Sequence, residues 1–203
     1  MTTRLLVVIE GCIATGKTTF AQRLASLLHA SLLLEDYHQV PSLPDFYEDP
    51  STHAYVTEME FTRYHFGLLN RLVRQEGRGT TVVDFSLLRD LVFASITLRG
   101  QSDNLARYRR YWHRLNNLSP KPSVVVLLEA PVEVLLQRIT ARARPFELAI
   151  EPEYLQAVSA GIRDVYASRD RVIRIDTSDF AWLNANLDQL AEDVRRMLAE
   201  VDP

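Results

Sequence analysis

A short glycine-bounded segment near the start of the chain, residues 11–18, reads Gly-Cys-Ile-Ala-Thr-Gly-Lys-Thr. It matches the phosphate-binding pattern G-x-x-x-x-G-K-[ST] at every fixed position, which happens by chance in roughly one in a hundred chains of this length. An apolar run precedes it and a helical pattern follows it, so backbone N–H groups and the positive end of a helix would face a bound anion. The segment therefore predicts a strand–loop–helix unit that binds the phosphates of a nucleoside triphosphate.

The residues of this loop have expected roles in binding ATP and Mg²⁺. Lys17 is expected to reach the β- and γ-phosphates, and the Thr18 hydroxyl is expected to bind the metal ion. Cys12 is interpreted as a small filler residue rather than a catalytic thiol, because no histidine lies near it in the sequence. The predicted nucleotide-binding residues are Gly11, Cys12, Ile13, Ala14, Thr15, Gly16, Lys17, Thr18 and Thr19.

Short apolar runs alternate with longer amphipathic stretches along the chain, which predicts a parallel sheet with helices on both faces. The predicted strands are Leu5–Glu10, Ser31–Glu35, Thr80–Asp84, Ser123–Leu128 and Val172–Asp176. The predicted helices are Thr18–Leu28, Ser51–Gln75, Leu87–Leu98, Asp103–Leu118, Val132–Arg142, Glu153–Ser168 and Ala181–Val201. We predict a three-layer α/β fold of the P-loop NTPase type, with a five-stranded parallel sheet in a single domain over residues 1–203.

Composition argues against several other classes of protein. A net charge of −3 does not suit a general nucleic-acid binder, and no apolar run approaches the roughly 18 residues of a membrane span. The single cysteine excludes an internal disulfide, and the five histidines lack metal-binding spacing and are interpreted as satisfied or surface residues. We expect a cytoplasmic protein that binds neither nucleic acid nor membranes.

Several segments outside the phosphate loop carry a resemblance to one family. The segments are Val8–Gly11 with Thr18–Phe20, Phe46-Tyr47-Glu48-Asp49-Pro50, Leu128–Ile139, Arg142-Ala143-Arg144-Pro145-Phe146-Glu147 and Glu153-Tyr154-Leu155. Together they resemble the deoxynucleoside kinases over about residues 5–178. The resemblance implies a short lid at about residues 142–151, an ATP and Mg²⁺ requirement, and a dimeric enzyme.

The resemblance also implies roles for individual side chains. Glu35 would be the general base that takes the proton from the acceptor's 5′-hydroxyl, although it could be a solvated carboxylate at a strand end. Tyr47 and Glu147 would hold the sugar 3′-hydroxyl, and Asp84 would help to organise the metal ion.

Three arginines at close spacing are candidates for stabilising the transferred phosphoryl group. Arg138 and Arg142 share a helical face and Arg144 begins the lid, so planar guanidiniums would meet the equatorial oxygens. The alternative is a solvated basic helix end that the helix dipole favours.

Position 85 departs from the family's pattern. The family usually has [DE]-R-[ST] after the third strand, whereas this chain has Asp84-Phe85-Ser86 and lacks the arginine. Arg89 lies four residues further on and shares a helical face with position 85 if the helix has begun there. We hypothesise that Arg89 supplies the lost charge; the alternative is a surface residue.

Position 58 is the second departure. The nucleoside-specific members of the family that the chain resembles are similar in having a glutamine here that reads the base. This chain has Glu58 instead. A carboxylate only accepts hydrogen bonds, which suits two adjacent donors such as those of guanine. Glu58 could equally pair with Arg63 or Arg89 and read no base. The aspartate that the family keeps is present as Asp90.

A basic and aromatic stretch, residues 107–114, contains Tyr108, Tyr111 and Trp112 among arginines. It could bind single-stranded nucleic acid. We favour a partly buried contact in a homodimer, because the family that the chain resembles is typically dimeric and these residue types favour interfaces.

The sequence thus predicts an ATP-dependent kinase that phosphorylates the 5′-hydroxyl of a nucleoside or deoxynucleoside, with a preference for a purine such as deoxyguanosine. One alternative is another small-molecule or nucleotide kinase, although the loss of an arginine at Phe85 removes a cation that a monophosphate acceptor would need. The other is a nucleotide-binding regulatory protein without phosphotransfer, which would have little need of Glu35, Lys17 and the lid together.

Overall fold

The computed structural model describes residues 4–74 and 79–201. In this part of the chain, one parallel sheet has the strand order β2-β3-β1-β4-β5. The strands are β1 (Leu5–Gly11), β2 (Ser31–Leu33), β3 (Thr80–Val83), β4 (Val124–Glu129) and β5 (Val172–Asp176). The helices are α1 (Lys17–Leu28), α2 (Leu43–Glu48), α3 (Pro50–Arg74), α4 (Leu87–Thr97), α5 (Ser102–Leu118), α6 (Val132–Arg142), α7 (Pro152–Val165) and α8 (Phe180–Ala199). The predicted α/β class with a five-stranded parallel sheet is confirmed.

The three central strands, β1, β3 and β4, bury both of their faces, because successive side chains point to opposite sides of the sheet. Val7 and Ile9 of β1 pack in one apolar cluster with side chains of α1 and α8. Leu6 and Val8 pack in the other cluster, with side chains of α3, α4, α5 and α7. The near-continuous apolar runs of the sequence therefore follow from a sheet that is covered on both faces. Among the described helices, none is long and apolar enough to cross a membrane.

The strand β2 is shorter than predicted and ends at Leu33, two residues before Glu35. It lies at an edge of the sheet and pairs only with β3, and Leu32 is 40% exposed. Because β2 has a hydrogen-bonded neighbouring strand on one side only, the strand ends early, and Glu35 lies on the loop that follows. Gln75, the predicted last residue of the helix that corresponds to α3, lies outside the described residues.

A helix that the sequence pattern did not predict, α2, precedes α3. It is only six residues long, which is too short to show a helical period of apolar residues. Short 3₁₀ turns at Tyr37–Gln39 and Pro145–Glu147 escape prediction for the same reason. These three segments all border the site described below.

The aromatic side chains of α5 point into the protein itself. Tyr108 is fully buried and its hydroxyl lies 2.7 Å from that of Thr62, while the Trp112 indole N–H donates to the Leu87 carbonyl. The favoured interpretation, a homodimer contact, is therefore wrong for the rings of Tyr108 and Trp112, because they are buried within one chain and stabilise the packing of α5 on α3 and α4.

The phosphate loop leaves no room for a side chain at Gly11. Its φ is +145°, and a Cβ atom there would lie 2.5 Å from the Leu128 carbonyl oxygen. We expect Gly11→Ala to destabilise the protein by about 2 kcal/mol or more, from backbone strain and overlap with β4. Urea unfolding would measure this as a lower midpoint.

Gly67 is the matched control, because a Cβ there would contact nothing within 4 Å. Inside α3, Gly67→Ala should stabilise the protein by about 0.5–1 kcal/mol. Equal midpoints for Gly11→Ala and the wild type would contradict the steric argument.

Candidate active site

A pocket opens beyond the carboxyl ends of β1, β2 and β3, between the phosphate loop, α2, α3, α4, α7 and the turn at Pro145–Glu147. It combines charged side chains at one end with aromatic walls. Its lining includes Ile13, Lys17, Glu35, Tyr37, Tyr47, Glu58, Phe61, His65, Arg89, Asp90, Phe93, Arg144, Glu147 and Tyr154. Open parallel sheets bind ligands at this edge.

The loop between β1 and α1 has the backbone form that anion binding requires. Gly16 has φ +93° and Ala14 has φ +64°, which is the curvature that turns successive N–H groups to one side. The first turn of α1 contains no acidic residue and Gly16 offers it no side-chain cap. Its N–H groups are thus left for a phosphate.

Lys17 lies over the loop, and its Nζ donates to the Cys12 carbonyl at 2.8 Å. Burial and then the charge of Arg89 lower the pKa of Lys17 to about 8. The ammonium is therefore mostly charged at neutral pH and can meet phosphate oxygens. The Cys12 side chain is buried and its Sγ faces the Leu155 carbonyl, in agreement with a filler role.

Thr18 and Asp84 meet as a pair of oxygen donors at the end of the loop. The Thr18 hydroxyl donates to Asp84 Oδ2 at 2.6 Å, and Asp84 Oδ1 accepts from the Glu35 backbone N–H at 2.7 Å. The described residues contain no cluster of three side chains that could hold a metal ion by themselves. Two oxygen ligands fit Mg²⁺, which usually binds through one or two protein oxygens with water and substrate phosphates.

Glu35 is held by two cations. Its Oε2 lies 2.5 Å from Arg89 Nη2 and 3.0 Å from His65 Nε2. Burial alone would raise its pKa, but Arg89 and then His65 outweigh this and lower the pKa to about 2. The carboxylate is a quarter exposed and faces the pocket, so it is ionised and accessible at any physiological pH.

Arg89 is buried, 6% exposed, and the alternative of a surface arginine is wrong. Its guanidinium bridges Glu35 and the Asp84 carbonyl, which accepts from Nη1 at 2.8 Å. The premise that the helix has begun by Phe85 is not met, since α4 begins at Leu87 with Ser86 as its cap. Arg89 reaches the site from the first turn of α4 instead.

His65 is a site residue that the sequence did not reveal. Its Nδ1 lies 2.9 Å from Asp90 Oδ1, and its ring stacks on Phe85 with centroids 4.5 Å apart. Burial would lower its pKa, but Asp90 and then Glu35 raise it to about 9. The sequence feature that could have identified His65 as a site residue is its position seven residues after Glu58, on the same face of one helix.

The predicted lid arginines converge on one buried carboxylate. Arg142 Nε donates to Glu147 Oε2 at 2.5 Å, and Arg144 Nη1 lies 3.3 Å from Oε1. The Arg144 guanidinium also stacks 4.3 Å from the Tyr37 ring centroid. Tyr47 stands beside them, with its ring 5.4 Å from that of Phe146.

Arg138 lies apart from this cluster. It donates to the Thr177 carbonyl and approaches the Ala14 carbonyl of the phosphate loop at 3.4 Å. Although it precedes Arg142 by one turn of α6, the two guanidiniums have different partners. Arg138 therefore lies beside the loop, whereas Arg142 lies beside the sugar-binding candidates.

Glu58 is buried at 5% exposure, and its Oε1 accepts from the Thr97 hydroxyl at 2.9 Å. The ion pairs of the described residues do not include it. The alternative that Glu58 pairs with Arg89 is wrong, since Arg89 contacts Glu35 and Asp84. Glu58 is instead a pocket residue with no ion-pair partner in the part of the chain that the structure describes.

This arrangement is that of a P-loop phosphotransferase: a loop for phosphates, oxygen ligands for a metal, and a carboxylate in an adjoining acceptor pocket. The family model described as deoxynucleoside kinase matches residues 7–199. The chain belongs to the deoxynucleoside kinase family, and it is an ATP-dependent phosphotransferase.

Individual relatives agree with this assignment. The chain is 26% identical to the deoxyguanosine kinase of Bacillus subtilis (strain 168), over 98% of this chain and 100% of the relative. It is 27% identical to the deoxyadenosine kinase of Dictyostelium discoideum, over 97% of this chain and 83% of the relative. A solved structure of deoxyadenosine kinase from M. mycoides with bound dCTP matches with a TM-score of 0.82 at 15% identity, covering 95% of this chain and 100% of that chain. The P-loop NTPase fold is thereby confirmed, and the names of the relatives differ in the base.

The His65 cluster predicts a pH dependence of stability. The pKa of His65 rises from 6.5 to about 9 in the folded protein. The stabilisation that charged His65 adds to the free energy of unfolding is therefore complete below pH 6.5 and is lost as the pH rises from 6.5 to 9. The difference in unfolding free energy between wild type and His65→Gln should shrink across this window. A pKa shift contributes about 1.4 kcal/mol per pH unit, so this difference in unfolding free energy can shrink by about 3 kcal/mol at most.

Urea unfolding at a series of pH values would measure the difference. His113→Gln is the control for the same substitution at an exposed position, because His113 is exposed on α5. A constant difference for His65→Gln would contradict a charged His65.

Proposed function

We propose that this enzyme transfers the γ-phosphate of ATP to the 5′-hydroxyl of a nucleoside or deoxynucleoside. The observation that carries the proposal is the Glu35 carboxylate, ionised by Arg89 and His65, in one pocket with Lys17 of the phosphate loop. A hydroxyl bound at Glu35 would face a γ-phosphate bound at Lys17.

The donor half of the site would be built on the loop. The N–H groups of residues 11–19 bind the phosphates, and Lys17 neutralises charge on the β- and γ-phosphates. Thr18 and Asp84 hold Mg²⁺, which would neutralise charge on the triphosphate. Arg138 approaches the loop from α6, and Arg142 and Arg144 supply further positive charge from the lid.

The acceptor half would be organised around Glu35. Its carboxylate accepts the hydrogen bond of the 5′-hydroxyl and takes its proton as the phosphoryl group arrives. A carboxylate with a pKa of about 2 is a weak base, but it suffices because phosphoryl transfer has a loose transition state and the proton leaves late. Arg89 orients Glu35, and Tyr47 and Glu147 hold the sugar 3′-hydroxyl.

The proposed acceptor is a purine nucleoside. The sequence-based preference for deoxyguanosine depends on an ionised Glu58, which accepts from two neighbouring donors. Asp90 would contribute to the same end of the pocket. The ionisation of Glu58 is therefore what selects the base.

Several properties of the whole protein remain proposals. We propose a single domain over residues 1–203, a lid at about residues 142–151, a homodimer, a cytoplasmic location and no binding of nucleic acid. With Tyr108 and Trp112 buried in the core, a dimer contact would use the exposed side chains of α5, such as Arg107 and Arg110. Light scattering of the purified protein measures the oligomeric state.

Turnover tests the central proposal. ADP release with ATP and Mg²⁺ is expected with at least one of the eight common nucleosides and deoxynucleosides, and the product should be the 5′-monophosphate. Omission of Mg²⁺ is the matched control and should stop the reaction. ATP binding without turnover of any nucleoside would refute the proposed acceptor.

The role of Arg89 has its own test. Arg89→Ala should lower kcat by about a hundredfold or more, the usual effect of losing an electrostatic group at a reacting centre. Arg142→Ala should have an effect of similar size. Arg196→Ala, an exposed change on α8, is the control for the loss of one positive charge. Full activity in Arg89→Ala together with an inactive Arg142→Ala would show that Arg89 does not replace the missing arginine.

A further inference from the structure

We propose that Glu58 is a neutral carboxylic acid at physiological pH and that it selects a base with an amino group beside an unprotonated ring nitrogen. Adenine and cytosine present such an edge, whereas guanine presents two adjacent donors. The inference rests on the proposed nucleoside kinase function and names its class of acceptor. It also reverses the premise on which the preference for guanine depends.

The position of Glu58 suits a group that meets the base. Glu58 and His65 both line the pocket from α3 and are seven residues apart, which is about 10 Å along a helix. His65 contacts Glu35, where the 5′-hydroxyl is expected. The far end of a bound nucleoside, its base, would thus lie near Glu58, where Phe93 and Tyr154 also line the pocket.

The surroundings of Glu58 disfavour a negative charge. The side chain is 5% exposed, and a neutral group, the Thr97 hydroxyl of α4, donates to its Oε1. Among the described residues no lysine or arginine forms an ion pair with it. An isolated buried carboxyl group takes up a proton rather than bear the loss of hydration.

The titratable groups that face Glu58 do not change this conclusion. From α4 the Asp90 carboxylate opposes ionisation, and from α3 His65 favours it only weakly because Asp90 and Glu35 already hold that ring. The tyrosines that approach from α2, α5 and α7, Tyr47, Tyr108 and Tyr154, are all neutral, with raised pKa values. Burial raises the pKa of Glu58 to about 8; the Thr97 hydrogen bond opposes this and Asp90 adds to it.

A neutral carboxyl group has the hydrogen-bonding pattern of an amide. It offers one O–H donor and one carbonyl acceptor. The O–H on Oε2 would donate to the ring nitrogen, and Oε1, which has a lone pair beyond that used by Thr97, would accept from the amino group. The Thr97 hydrogen bond favours Oε1 as the carbonyl oxygen and leaves the proton on Oε2. Against guanine, this O–H would meet N1–H, a donor facing a donor, and Oε1 would meet O6, an acceptor facing an acceptor. Only the ionised form accepts both donors of guanine.

The test is the ratio of kcat/KM for deoxyadenosine to kcat/KM for deoxyguanosine between pH 6 and pH 8.5. In the wild type the ratio should exceed one at pH 6 and fall at least tenfold by pH 8.5, as Glu58 ionises. In Glu58→Gln the ratio should exceed one and stay constant, because an amide does not titrate. Glu200→Gln, the same change at an exposed position after α8, should follow the wild type. The titration of His65 acts at the 5′ end of both substrates and cancels in the ratio.

Two results would overturn the inference while leaving the kinase function intact: a preference for deoxyguanosine at pH 6, or a ratio that stays constant in the wild type. Absence of turnover with every nucleoside would refute the proposed function instead. In that event, infrared difference spectra still test the neutral acid. The carbonyl band of a protonated carboxyl group should disappear around pH 8 in the wild type and be absent from Glu58→Gln, and a wild-type spectrum without that band would refute it.

Discussion

Two buried cations, Arg89 and His65, hold the Glu35 carboxylate at the edge of the pocket, with contacts of 2.5 Å and 3.0 Å to the same oxygen. These three residues come from α4, from α3 and from the loop after β2. Burying charges is costly unless each is paired and hydrogen bonded, and here Asp90 and the Asp84 carbonyl complete the pairing. The cluster therefore fixes the geometry of three separate elements around the group that would accept the proton.

This cluster also explains how the chain accommodates Phe85 at the position where the resemblance led us to expect an arginine. The phenyl ring is fully buried and stacks on His65, at an interplanar angle of 15°. Positive charge reaches Glu35 from Arg89 on one side and His65 on the other, so the loss of one arginine does not leave the carboxylate alone. Because Asp90 and Glu35 already engage His65, the neighbouring Glu58 forms no ion pair with it or with any other residue that the structure describes. The electrostatics of the two ends of the pocket are thus linked.

The sequence predicted much of the site because its motifs are local. The phosphate loop is eight consecutive residues whose spacing by itself defines the backbone, and Thr18, Lys17 and Gly11 lie where the pattern predicts. The helix α2 and His65 were not predicted, since the first is too short to show a period and the second is one histidine in a helix with a buried face. Nothing in the spacing of Glu35, His65 and Arg89 indicates that they touch.

The sequence by itself determined the class of fold and the phosphate site, because apolar periodicity and a contiguous glycine motif need no long-range information. Only the tertiary structure decided the charge states. Whether Glu35 is ionised and Glu58 is neutral depends on which side chains lie within a few ångströms, and the closest of these, Arg89 and Thr97, are 54 and 39 residues away in the chain. A carboxylate beside a guanidinium and a carboxyl group beside a hydroxyl are the same functional group in the sequence, and burial with different partners makes one an anion and the other an acid.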